Sequence, residues 1–415
     1  MLEIAPILWY NINEWQNVLP NMDGGGAMPS KKDKEFVRNI ARERTYQNQN
    51  EEYDEEYFKW RSDENNQYSF NYVHDSREHS YMAGRGFIKR SADTAESATL
   101  HNCLRLLGAV MLVMLLFDVI NFLLAAYFNQ GMPSNVIFFS ERTEFGEISL
   151  LSCVTFMGIS IIKFITAIVI YHMRTRLPLK VALPKGNANA TGAFKFNAVI
   201  IMLMIIVIGR LLNNLLSRML GFVKVDSIYI YMFNCSDEAA VVMSMIYNCI
   251  LLPVLIEIFF RGLVLQSFRQ FGDSFAVVVA AVACGLSFYD LSYIGYATLC
   301  SVVIGLFTVR SGSIVTAILM HSVSTTVNYM LVYVGIISSS TGRIITIAVY
   351  MVICAGALVV YSRLNNRREW SFNIERNESE LPFAKKVELM LSSNTVAMWF
   401  VCAVVMTIVS IRFLT

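Results

Sequence analysis

Beyond residue 100, apolar residues come in runs of about 20, one after another, with charge largely confined to the stretches between them. A run of that length crosses the hydrocarbon core as a helix, because only a helix satisfies every backbone N–H and C=O within one segment. The pattern predicts helices near 104–128, 148–172, 196–217, 239–264, 274–292, 294–310, 313–336, 343–361 and 394–414. The expected fold is an all-α polytopic membrane protein of about nine transmembrane helices. Residues 1–100 behave differently. Apart from a short helix expected near 31–46, they sustain no apolar period, and the run Glu51-Glu-Tyr-Asp-Glu-Glu-Tyr-Phe-Lys-Trp60 is acidic and aromatic. Such a stretch predicts a polar, largely disordered cytoplasmic tail. After it, 101–195 reads as a first helix pair with a linker, 196–336 as a membrane core, and 337–415 as C-terminal helices with a loop.

Positive charge sets the expected orientation. Lys89, Arg90 and Arg105 precede the first span, Arg174, Arg176, Lys180, Lys185 and Lys195 separate the second from the third, and Arg363, Arg367 and Arg368 follow the eighth. These segments alternate with loops poor in lysine and arginine, which predicts a cytoplasmic N-terminus and an outside C-terminus, the plasma membrane being the expected membrane. The N-terminal stretch lacks the charged-then-apolar order of a signal peptide, so the first span is expected to insert the chain.

Of the residues, 55% are hydrophobic and the net charge is only +2, with no basic stripe, so nucleic acid is not an expected partner; the lipid bilayer is. The eight cysteines stand singly, without a C-x-x-C pair, and read as small apolar residues. No cofactor is expected. The spans contain Asp118, Asn121, Lys163, Arg210, Asn213, Asn214, Asn248, Glu257, Arg261, Asp290 and His321. Charges inside a bilayer are costly and mark function or mutual pairing. Glu257 and Arg261, four apart, share one helix face and predict an ion pair. That pair has a structural reading, ordering the bundle, and a functional one. His321 and Glu257 each lie roughly 12 Å from the same side of the membrane, at 1.5 Å rise per residue, so they can meet. Asp290 lies deeper, roughly 24 Å along its helix by the same measure. One histidine and two scattered carboxylates make a poor zinc set, so no metal is expected.

The stretch Ile256-Glu257-Ile-Phe-Phe-Arg261-Gly262, then Leu286-Ser-Phe-Tyr-Asp290, then Gly305-Leu-Phe-Thr-Val-Arg-Ser-Gly-Ser-Ile314 with His321-Ser-Val-Ser-Thr325, resembles the CAAX prenyl protease 2 and lysostaphin-resistance-A-like group, the CAAX protease and bacteriocin-processing family of intramembrane proteases. The family motifs are Glu-Glu-x-x-x-Arg, Phe-x-x-x-His and His-x-x-x-Asn, and the likeness covers roughly 240–330. The resemblance implies a CAAX-protease-like core, endopeptidase chemistry and a cavity for an apolar or prenylated peptide or membrane protein. It also implies candidate site residues Glu257, Arg261, Asp290 and His321. In the family the first glutamate and the second-motif histidine activate a water, and the last histidine and asparagine hold the oxyanion. Here Ile256, Asp290 and Thr325 occupy three of those four positions. The favoured expectation is a degenerate, non-catalytic member that binds a peptide or partner. The alternative is an active protease with a rearranged Asp290/Glu257/His321 site. A transporter, with Asp118, Lys163 and Arg210 lining its pathway, is the third.

Overall fold

The computed structural model describes residues 46, 49–63, 65–70, 79–82, 86–89, 92–128, 150–186, 190–220, 238–289, 291–337, 339–366, 379 and 381–410. All of them fall within one compact unit, Thr45–Thr415. The short helix expected near 31–46 lies almost wholly outside the described residues. The helices are α1 (Glu51–Arg61), α2 (Ala92–Phe128), α3 (Leu150–Thr175), α4 (Gly192–Leu220), α5 (Glu238–Phe271), α6 (Asp273–Leu286), α7 (Leu291–Ser311), α8 (Ile314–Ile337), α9 (Ser339–Asn366), α10 (Phe383–Ser392) and α11 (Asn394–Ser410). One antiparallel hairpin, β1 (His79–Met82) with β2 (Gly86–Lys89), precedes α2.

Among the described residues seven helices are long and apolar enough to cross a membrane, and an eighth span is formed if α10 and α11, bent by 73° at their junction, count as one. The chain is an integral membrane protein. The span read at 274–292 is shorter than expected: α6 has 14 residues, about 21 Å at 1.5 Å per residue. Gly272, at φ +109°, turns the chain before it, and the sequence Ser287-Phe-Tyr289 ends it, Tyr289 itself standing at φ +51°. α6 and α7 pack as a helical hairpin. Gly285 permits this approach, since a Cβ there would overlap the Thr298 side chain.

Several loops meet on one face of the bundle. Lys185 bridges Ser313, Ile314 donates its N–H to the Pro184 carbonyl at 2.9 Å, and Lys386 bonds the Phe271 carbonyl. The segment expected to be disordered also contributes to this face. α1 starts at Asn50, whose side chain caps the Tyr53 N–H at 2.8 Å, and it carries Glu51, Glu52 and Asp54 in its first turn, where the helix dipole favours negative charge. Its Tyr53, Tyr57 and Trp60 recur at four- and three-residue spacing, form one buried stripe and join the main core. Trp60 Nε1 donates to the Thr175 carbonyl at 2.8 Å, and Tyr53 Oη to Gln266 Oε1 at 2.7 Å. Burial raises the Tyr53 and Tyr57 phenols above their ordinary range, so both remain neutral donors. Glu51, Glu52 and Glu55 of α1 are exposed, and composition alone therefore conceals the stripe.

Candidate active site

Four helices, α5 to α8, build the site. α5 is not a regular α-helix throughout. Pro253 has no N–H to give to the carbonyl four residues earlier, and the helix widens to a π turn over Tyr247–Leu251 directly before it. A second π turn, Ile258–Val264, carries Arg261. Gly262 in that turn allows the backbone at Ala182 to come close: a Cβ at residue 262 would lie 2.6 Å from the Ala182 carbonyl oxygen. The Phe-Arg-Gly triplet is thus a packing requirement as well as a motif.

Glu257 has no solvent exposure and Arg261 only 1%. Arg261 Nη1 donates to Glu257 Oε1 at 3.3 Å, and its Nε lies 3.2 Å from Oε2. The same guanidinium reaches two other helices, donating to the Ser301 carbonyl at 3.0 Å, to Ser301 Oγ, and to Cys284 Sγ at 3.7 Å. From α8, His321 Nδ1 sits 2.7 Å from Glu257 Oε1. The histidine side chain is 21% exposed and lines a cavity of about 40 Å³. Other walls of that cavity come from Ile206 of α4, Tyr296 of α7, and Ser324, Thr325 and Asn328 of α8.

Glu257, Arg261 and His321 are therefore brought together, while Asp290 lies outside the described residues. Ile256, at the position of the family's first glutamate, is 3% exposed and packs into the main core instead of lining the cavity. Asp118 and Lys163 meet each other at 2.7 Å, both 1% exposed, and line neither described cavity. They form a buried ion pair, and the Arg210 side chain lies outside the described residues. Sequence reasoning missed Ser301 and Cys284 as anchors of Arg261, and Asn328 as a cavity residue. Ser301 and Asn328 are polar positions inside apolar helices, a signal that was available. Cys284 carried none, since a lone cysteine in an apolar run reads as packing.

The site is also tied to α1. Gln266 Nε2 donates to the Arg261 carbonyl at 3.2 Å while its Oε1 accepts from Tyr53, so one amide links the N-terminal segment to the π turn.

Residues 238–327 match a family model described as type II CAAX prenyl endopeptidase Rce1-like. The matched stretch covers α5 to α7 and most of α8, the four helices that converge on Glu257. No curated protein and no solved structure matches the chain. Over this stretch the protein is CAAX-protease-like, in agreement with the motif resemblance.

Proposed function

We propose that this CAAX-protease-like membrane protein binds an extended apolar or prenylated peptide segment in the cavity beside His321, and does so without hydrolysing it. The carrying observation is the state of Glu257. It is the one carboxylate among the described cavity residues, it is fully buried, and both its oxygens face Arg261 or His321. A general base must reach a water; here Oε1 already takes Arg261 and His321, while Oε2, which makes no hydrogen bond, is sealed off by burial. Ile256, packed in the core, cannot take its place.

A second reading has its own support. A carboxylate at Nδ1 holds an imidazole in the tautomer whose other nitrogen accepts a proton. His321, oriented by Glu257 and partly exposed, is then the base of an intramembrane endopeptidase. The discriminating experiment uses the purified full-length chain and a quenched fluorescent CAAX-type peptide, measuring binding and turnover together. The variants are His321→Ala, Asp290→Asn, and Ile256→Glu combined with Asp290→His. Saturable binding by the wild type without turnover is the expected result. Turnover that disappears in His321→Ala overturns the binding reading in favour of the protease.

The orientation we propose places the face bearing α1 in the cytoplasm of a cell, with the plasma membrane as its host. The clustering of Arg174, Arg176, Lys180 and Lys185 at the end of α3 and just beyond supports it. A single cysteine introduced at Lys180, in a background lacking the native cysteines, is expected to resist membrane-impermeant thiol reagents in intact cells. Its labelling without permeabilisation would reverse the assignment.

A further inference from the structure

A second cavity lies away from the Glu257 site, between α2, α3 and the start of α11, with a volume of about 470 Å³. Its walls change character along their length. At one end stand Arg105 and Arg174, from two different helices, with Gln67, Asn102 and Thr395. From Arg105 the wall continues along α2 through Leu106, Ala109, Val110 and Val113, with Ile170 opposite. Arg105 to Val113 is eight residues, a run of about 12 Å at 1.5 Å per residue. Arg174 lies in the last turn of α3, and Ile170 one turn further into the bundle. The polar end is therefore at the surface of the membrane-spanning bundle and the apolar wall leads inward.

The charge in this cavity is of one sign. Among the described residues no Asp or Glu lines it, and neither arginine, both of them exposed, makes an ion pair with a carboxylate. Two arginines at a membrane boundary match an anionic headgroup, and an apolar trough below them matches a hydrocarbon chain. A soluble anion would leave the trough empty. A neutral lipid would leave the arginines unmatched. The volume falls within the range of small-molecule sites. We propose that this cavity is a binding site for an anionic glycerophospholipid, the phosphate held between Arg105 and Arg174 and an acyl chain laid along Ala109 and Val113.

The site also joins parts of the chain far apart in sequence. Asn102 Nδ2 donates to the Gln67 carbonyl at 3.3 Å, and Thr395 Oγ1 to the Arg105 carbonyl at 2.9 Å. A lipid seated there contacts the N-terminal segment, the first helix and the last one together.

The test is native mass spectrometry of the full-length protein in detergent, titrated with phosphatidylglycerol and with phosphatidylcholine of identical chains, with inorganic phosphate as a competitor. The wild type is expected to retain phosphatidylglycerol over phosphatidylcholine. Each arginine near an anionic headgroup contributes about 5-fold in affinity, so Arg105→Gln with Arg174→Gln should lose about 30-fold for the anionic lipid and leave the neutral one unchanged. Ala109→Trp keeps both charges and fills the trough, and should lower retention of both lipids. The proposal is overturned by equal retention of the two lipids in the wild type, or by a preference that survives in the double arginine variant. Displacement of phosphatidylglycerol by inorganic phosphate at equal concentration also overturns it, and marks a phosphate site instead. Should the double arginine variant fail to fold, Ala109→Trp alone decides: undiminished lipid retention by that protein sinks the proposal.

Discussion

Replacing Glu257 by alanine is expected to destabilise the protein by about 3–5 kcal/mol, more than any other single change within the cavity walls. The reason lies in what the substitution leaves behind. Arg261 is 1% exposed, and its bonds to the Ser301 carbonyl, Ser301 Oγ and Cys284 Sγ carry no negative charge to replace the carboxylate. An unpaired buried guanidinium costs far more than the pair itself contributes, because the desolvation of each charge is offset only while the other is present. The double variant Glu257→Gln with Arg261→Met should therefore be more stable than Glu257→Ala, although it carries one substitution more. Thermal unfolding in detergent reads both. An unfolding midpoint of Glu257→Ala indistinguishable from wild type would mean that Arg261 finds water, and that the site is wetter than its geometry implies.

The second large effect is expected at Asp273. Arg269 is fully buried and donates to both Asp273 oxygens, at 2.7 Å and 3.1 Å. Its guanidinium carbon lies 4.7 Å from the centre of the Tyr46 ring and 5.7 Å from that of Tyr53. The tyrosines supply part of a cation's environment, but a cation–π contact is worth only about 0.5–2 kcal/mol. Asp273→Ala should cost about 3–5 kcal/mol by the same argument as at Glu257. Its readout differs, however. Tyr46 and α1 rest on this pair, so limited proteolysis should cut between residues 49 and 70 in the variant before the membrane helices unfold. Protection equal to wild type would show that α1 is held by Trp60 and Tyr57 alone.

How far the sequence foretells this structure depends on which physical signal each part carries. Apolar run length found the spans, because the bilayer imposes a length on every helix that faces it. It overestimated α6, whose apolar run continues through Leu286 but which is covered by protein on most sides and need not match the bilayer. The Glu257–Arg261 pair was legible from i, i+4 spacing, and the approach of His321 from its similar depth. Ser301 stood out as a polar position in an apolar helix, but its contact with Arg261, like that of Cys284, was not legible, since contacts between helices depend on rotation about each axis, and two π turns in α5 shift that rotation. The buried stripe of α1 was hidden by its own acidic residues. Tyr53, Tyr57 and Trp60 do carry a helical period, but among Glu51, Glu52, Asp54, Glu55 and Glu56 the average hydropathy reads as solvated chain.

The brevity of α6 bears on how the protein is made. Fourteen residues fall short of the roughly 20 that partition into a bilayer as a stable span, so this helix has too little apolar length to leave the translocation machinery alone. Its packing against α7 fits entry of the two as a helical hairpin. The turn at its tip is suited to that passage: Ser287 N–H bonds the Ala283 carbonyl, Ser287 Oγ the Cys284 carbonyl, and the Phe288 and Tyr289 amides the Gly285 and Leu286 carbonyls. With its backbone groups bonded locally, the turn can be buried before the rest of the bundle closes around it. On this argument α6 and α7, which flank Glu257, are expected to insert as one unit.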